Sequence, residues 1–196
     1  MERNLSARVP CWLCWHTAFL LFGCWSDCLA NGAAEIAAHR TRLQIAQPRQ
    51  AEHVLGVQKR FLADKRNPAA PKTREVVVVG QIGGMPNIWP ETHPDFPWYE
   101  GQASFFLVDR KVAEKFAAHA RHHGGQECAF CRQLAAKNVN AIAVVNLVDE
   151  NGEILRVDAR KLLDLKERET VVVRGRAKLL AGAMLVIDAT GVHVSR

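Results

Sequence analysis

The four consecutive valines Val76–Val79, running on into Gly80-Gln81-Ile82, constrain this chain more than any other stretch. Branching at Cβ stiffens each side chain and favours extended backbone. Apolar residues on both alternating faces of a strand also need cover on both sides. Residues 75–82 are therefore expected to form a buried strand that opens a folded domain, with Gly83-Gly84 ending or bending it.

Further strands are expected at Ala103–Asp109, Asn140–Asp149, Thr170–Leu179 and Met184–Thr190. The last continues across a bend through Gly191–Ser195. Glu150-Asn151-Gly152 signals a hairpin, with Glu153–Val157 as the returning partner. Helices are expected between them. Arg110–His123 has Asp109 as its N-cap and Gly124-Gly125 as its stop, Cys128–Lys137 is a second short helix, and Asp158 caps Ala159–Leu165.

This order of strands resembles an OB-fold over about residues 74–195. The residues that carry the resemblance are Thr170-Val-Val-Val-Arg-Gly175-Arg-Ala177 and Met184-Leu-Val-Ile-Asp-Ala-Thr-Gly191-Val192. The layout is also similar to uncharacterised exported bacterial proteins with a Cys/His-bearing insertion. The resemblance implies a mainly β chain: a five-stranded Greek-key barrel with a helix between its third and fourth strands. Residues 110–137 depart from the plain pattern and are expected to be a helical insertion between strands 2 and 3. It also implies a small binding barrel, often for oligonucleotides or oligosaccharides, without fixing the ligand.

Residues 1–30 are expected to be an export signal. Arg3 and Arg8 supply a positive start, and Val9–Trp25 is apolar apart from His16 and Thr17. Leu21-Phe22-Gly23-Cys24 resembles a lipobox, which would make Cys24 a lipidation site, although Phe22 is bulkier than that pattern carries. Cys28-Leu29-Ala30 offers ordinary cleavage instead, and an uncleaved anchor is the third reading. The expected location is exported, as a periplasmic protein or a membrane-anchored lipoprotein. Cys11, Cys14, Cys24 and Cys28 lie within or beside this segment and do not read as a disulfide framework.

The formal charge of +6 is unevenly placed. Residues 31–72 carry eight Lys or Arg against three acids, whereas residues 73–196 carry sixteen against fifteen. Residues 31–72 are accordingly read as a basic linker with two short amphipathic helices split at Pro48, and residues 73–196 as the barrel domain. The linker suits a solvated spacer or contact with an anionic membrane surface, as would a lipid anchor. A near-neutral domain disfavours nucleic acid as a partner, since such a face would have to be a local patch.

The chemistry concentrates in His119-x3-His123-x4-Cys128-x2-Cys131. Two imidazoles four apart share one helix face, and Cys-x2-Cys is the spacing of a metal knuckle. Four protein donors make a closed structural zinc site, with His122 or His93 as alternative ligands. Three would leave an open position, and soft sulfur then makes copper the alternative metal. The competing readings are a thiol-redox pair at Cys128 and Cys131, and a plain disulfide. Arg132 disfavours haem attachment, because it stands where Cys-x-x-Cys-His needs histidine.

The loop Trp89–Tyr99 is the second candidate. Trp89, Phe96, Trp98 and Tyr99 could stack on a base or sugar ring, or simply cap one end of the barrel. The aspartates 109, 149, 158 and 188 read as caps and turns rather than an acid/base pair. Neither a phosphate-cradling glycine loop nor a serine nucleophile motif is present. An enzyme is therefore the less favoured class, and an exported binding module with a Cys2His2 site the favoured one. The alternatives are a thiol-redox or copper-handling protein and a nucleic-acid-binding OB domain.

Overall fold

A computed structural model describes residues 23–64, 67, 69–122, 129–180 and 184–195. Most of the expected signal segment lies outside these residues, as do His123 and Cys128. The chain forms two compact units, Met1–Ala38 and His39–Arg196. Helix α1, Gly23–Leu43, crosses that boundary and contributes its last turn to the second unit. Among the described residues no helix is long and apolar enough to cross a membrane.

The second unit continues with strand β1 (Glu52–His53), helix α2 (Val54–Asp64), β2 (Thr73–Ile82), β3 (Ser104–Val108), α3 (Arg110–His122) and α4 (Ala129–Lys137). A 3-10 turn at Val139–Ala141 leads into β4 (Ile142–Leu147), followed by α5 (Ala159–Leu163), β5 (Thr170–Leu179) and β6 (Leu185–Ser195). The expectation of a mainly β chain is corrected here, because helix and strand contents are roughly equal. The helical share comes from segments outside the barrel strands, each with an apolar side to bury. On α2 that side is Val54, Val57 and Phe61.

Five strands close on themselves. β2 pairs antiparallel with β3, β3 antiparallel with β4, β4 parallel with β6, and β6 antiparallel with β5. The seam is a long antiparallel ladder between β5 and β2, from Thr73↔Lys178 to Gln81↔Thr170. A closed mixed barrel with this order, and with α5 between its third and fourth strands, is compatible with an OB-like fold. β1 is a sixth strand, parallel to β2 at Glu52↔Val78 and His53↔Val79.

Period-two alternation sends one set of side chains inward. Val78, Phe105, Leu107, Val145, Leu147, Val173 and Ile187 are all fully buried. At Gly80 a Cβ would stand 2.8 Å from the carbonyl oxygen of Val108, so glycine lets β3 approach closely there. At Gly175 a Cβ would lie 2.3 Å from the Asp188 carbonyl oxygen, beside the β5–β6 register shift.

The outward set on β3 and β4 builds a second core. Phe106, Val108 and Ile142 pack with Val112, Ala113 and Phe116 of α3 and Ala135 of α4. Residues 39–64, expected to be a linker, also pack against the barrel. Leu43 and Val54 are fully buried, Gln44 bridges Val192, and α2 contacts β2 and β4.

The expected hairpin partner at Glu153–Val157 reduces to one bridge, Val148↔Ile154. Asp149 explains this, since its Oδ1 accepts the N–H groups of Asn151 (2.8 Å) and Glu153 (2.9 Å) and holds a turn instead.

Candidate functional site

The Cys/His segment runs from the end of α3 into the start of α4, and residues 123–128 between them lie outside the described residues. Asp109 starts α3 as expected: its Oδ1 accepts the Lys111 N–H at 3.1 Å. The buried stripe of α3 runs through Val112 and Phe116, and His119 continues it one turn on, at i+3 from Phe116. His119 is exposed, whereas Ala120 beside it is half-buried.

On α4, Cys131 precedes Ala135 by four residues and shares its face; both are buried. Ala135 packs in the same cluster as Val112 and Phe116. Phe116 and Ala135, each within one turn of one of these two donors, thus share one core. The side chain of His122, and all of His123 and Cys128, lie outside the described residues. Among the described residues no three His, Cys, Asp or Glu side chains come together as a metal site.

β3 and β4, which flank this arm, are antiparallel neighbours. The arm is therefore not a βαβ crossover, the scaffold on which thioredoxin-type Cys-x-x-Cys chemistry depends.

The aromatic loop folds onto the outer side of β3. Phe106 lies under the ring of Trp89 (centroids 5.3 Å apart, planes at 25°) and under that of Tyr99 (5.0 Å, 27°). Phe96 joins at 5.1 Å, and His93 meets Phe106 edge-on at 5.3 Å. Burial among these rings raises the pKa of the Tyr99 hydroxyl. His93 is thus part of an aromatic cluster, with Tyr99 4.9 Å away. Trp98 is turned elsewhere, against Phe105, with the Arg160 guanidinium 5.6 Å from its ring centroid. Asn87 shapes the loop by donating to the His93 carbonyl and accepting from the Trp89 N–H, both at 2.8 Å.

Of the aspartates expected at caps and turns, three behave so. Asp158 accepts the Arg160 N–H at 2.8 Å and pairs with the Arg160 guanidinium. That pairing, first of all, holds its carboxyl below the ordinary range. Asp149 is also lowered, chiefly by the Glu153 N–H. Asp188 differs. It lies within β6, in a polar row across the barrel's outer face. Ser104 donates to Asn146 (2.9 Å), Asn146 donates to Asp188 (3.1 Å), and Lys178 donates to Asp188 (2.8 Å). Each of these polar groups is satisfied by a neighbour on the sheet.

No protein-family model matches this chain, and no curated protein matches it.

A feature that sequence reasoning missed is a cleft of about 490 Å³ beside the last residues of β6. Its walls include Arg40, Ile45, Leu163, Asp164, His193 and Val194. No local pattern could reveal it, because it joins the end of α1, the end of α5 and the C-terminal strand. Only the fold brings those three segments together.

Proposed function

We propose that this chain is an exported binding module: an OB-like barrel whose α3–α4 arm is closed by a zinc ion held by His119, His123, Cys128 and Cys131. One observation carries this reading. Phe116, three residues before His119, and Ala135, four residues after Cys131, belong to one cluster, which supports a common centre for the two donors. With four protein ligands such an ion is structural, and it supplies folding free energy to a pair of short helices with little core of their own. The protein groups do no bond-breaking chemistry in this reading. The residue pattern of the first 30 positions supports export, as a periplasmic protein or as a lipoprotein anchored at Cys24.

The nucleic-acid alternative is weakened by the aromatic loop. OB domains take oligonucleotides across the outer face of strands 2 and 3, here β3 and β4, and on adjoining loops. On this chain Trp89, Phe96 and Tyr99 cover Phe106 on that face, so these rings are already partly stacked on the protein itself.

Metal analysis of the purified protein, paired with thiol titration, tests the proposal. One zinc per chain is expected, with two thiols that react only after chelation. A reversible Cys128–Cys131 disulfide without bound metal would replace this reading with the thiol-redox one.

A further inference from the structure

Beyond the metal-bearing arm, we infer that Asn151-Gly152 is a site of spontaneous covalent modification, at which the Asn151 amide is lost through a cyclic imide at a rate that Asp149 holds in check. The pair sits at the tip of the turn between β4 and the bridge at Ile154, and both residues are exposed. Two Asn-Gly pairs occur in the chain. The other, Asn31-Gly32, lies within α1, where main-chain N–H groups are taken by the helix's own bonds.

The chemistry needs a side-chain amide, the main-chain nitrogen of the next residue, and room for the chain to bend between them. The Gly152 nitrogen forms a bond to Asn151 Cγ, the Cγ–Nδ2 bond breaks, and ammonia departs with the proton that the Gly152 nitrogen gives up. Water then opens the imide at either of its carbonyls. One opening leaves an aspartyl link. The other leaves an isoaspartyl link, in which the main chain runs through the former side chain. Glycine in the second position has no side chain to hinder the attack. The space around it is open as well, since a Cβ at Gly152 would meet nothing within 4 Å.

The turn supplies the restraint. The Gly152 N–H donates to the Asp149 carbonyl at 3.2 Å, the long end of the ordinary range. Asp149 also accepts the Asn151 N–H at 2.8 Å, the Glu153 N–H at 2.9 Å and the Asn151 side-chain amide at 3.4 Å. Both reacting groups are thus tethered to one residue, and the turn must open before they meet. The Asp149 carboxyl titrates below its ordinary range, chiefly through the Glu153 N–H, so this clamp is charged at the mildly alkaline pH that favours the reaction.

The consequence is confined to the turn. Past it, the Leu155 N–H donates to the Leu147 carbonyl at 3.0 Å, and the Leu155 carbonyl accepts the Ala103 N–H at 2.8 Å. An isoaspartyl link adds a carbon to the main chain between Asp149 and Glu153, and a negative charge beside Asp149, Glu150 and Glu153. It upsets the spacing on which the Asp149 clamp depends and leaves the barrel strands in place.

The test incubates the purified full chain at mildly alkaline pH and compares it with a sample digested at time zero. Trypsin, cutting after Lys137 and Arg156, releases a peptide that carries Asn138, Asn140 and Asn146 as well as Asn151. The first three precede Val139, Ala141 and Leu147 and serve as internal controls. Mass spectrometry is expected to show amide loss at Asn151 at least tenfold faster than at any of them, with the isoaspartyl product present. That comparison does not depend on how any variant folds. Asp149→Ala, which releases the clamp, should speed the loss at Asn151 at least threefold. The inference is overturned if Asn151 reacts no faster than the three controls, if the aspartyl product forms alone by direct hydrolysis, or if Asp149→Ala leaves the rate unchanged or lowers it.

Discussion

Asp109 ties two helices to the end of a barrel strand. Its carboxylate is 1 % exposed and serves two helix starts at once. Oδ1 accepts the Lys111 N–H of α3, and Oδ2 accepts the Leu55 N–H of α2, each at 3.1 Å. Helix N-termini carry unpaired N–H groups and partial positive charge, so one buried anion between two of them is favourable. Asp109→Ala removes both caps and leaves buried donors unsatisfied, a loss expected at about 2–4 kcal/mol. The check is a urea unfolding curve with a lower midpoint at unchanged slope. Asp109→Asn keeps an acceptor and should lose less. Half of this role was legible in the sequence, where Asp109 stands just before an amphipathic run. The reach to Leu55 was not, because nothing local relates residues 55 and 109. Asp188 teaches the same lesson. A strand-end aspartate reads as a turn residue until the register sets it opposite Asn146.

Helix α5 has only five residues and depends on its ends. Asp158 caps the start through the Arg160 N–H, and Asp164 closes the other end in the left-handed conformation at φ 53°. The Asp158 carboxyl titrates below its ordinary value because it pairs with Arg160. The unfolded chain binds the proton more tightly, so this contribution is complete above the ordinary aspartate range, about pH 4, and disappears as pH falls through the lowered folded value. Asp158→Ala should therefore cost about 1 kcal/mol near neutrality. The gap to the parent should narrow as the solution is acidified below about pH 4, as read by thermal melts across pH. The element itself was foreseen because its cap is local. Of the strand expected at Glu153–Val157 only a short pairing forms: the Leu155 N–H donates to the Leu147 carbonyl, while Asp149 Oδ1 takes the Glu153 N–H into a turn. The arm helices α3 and α4 were legible from capping and periodicity. The covering of Phe106 by the loop was not, since aromatic content alone does not say which rings face one another.

The second unit begins at His39, well before the linker's expected end near Lys72. Eight basic residues in 31–72 gave that stretch the look of a spacer and hid its apolar members. Leu43, Val54, Val57 and Phe61 are each no more than 6 % exposed. Burying each is worth about 1.5–3 kcal/mol, so together they rival the roughly 5–15 kcal/mol that holds an ordinary domain folded. A chain that starts at Lys72 is expected to lose cooperative unfolding in circular dichroism melts, while one that starts at His39 melts in a single transition. The seam between β2 and β5 sets a further condition, this time on biosynthesis. Thr73 must find Lys178, and a ribosome adding ~5–20 residues per second takes ~5–20 s to deliver the second after the first. For that interval the valine strand is complete with one side unmatched, and such an unpaired apolar edge is the part of the nascent chain most prone to aggregate.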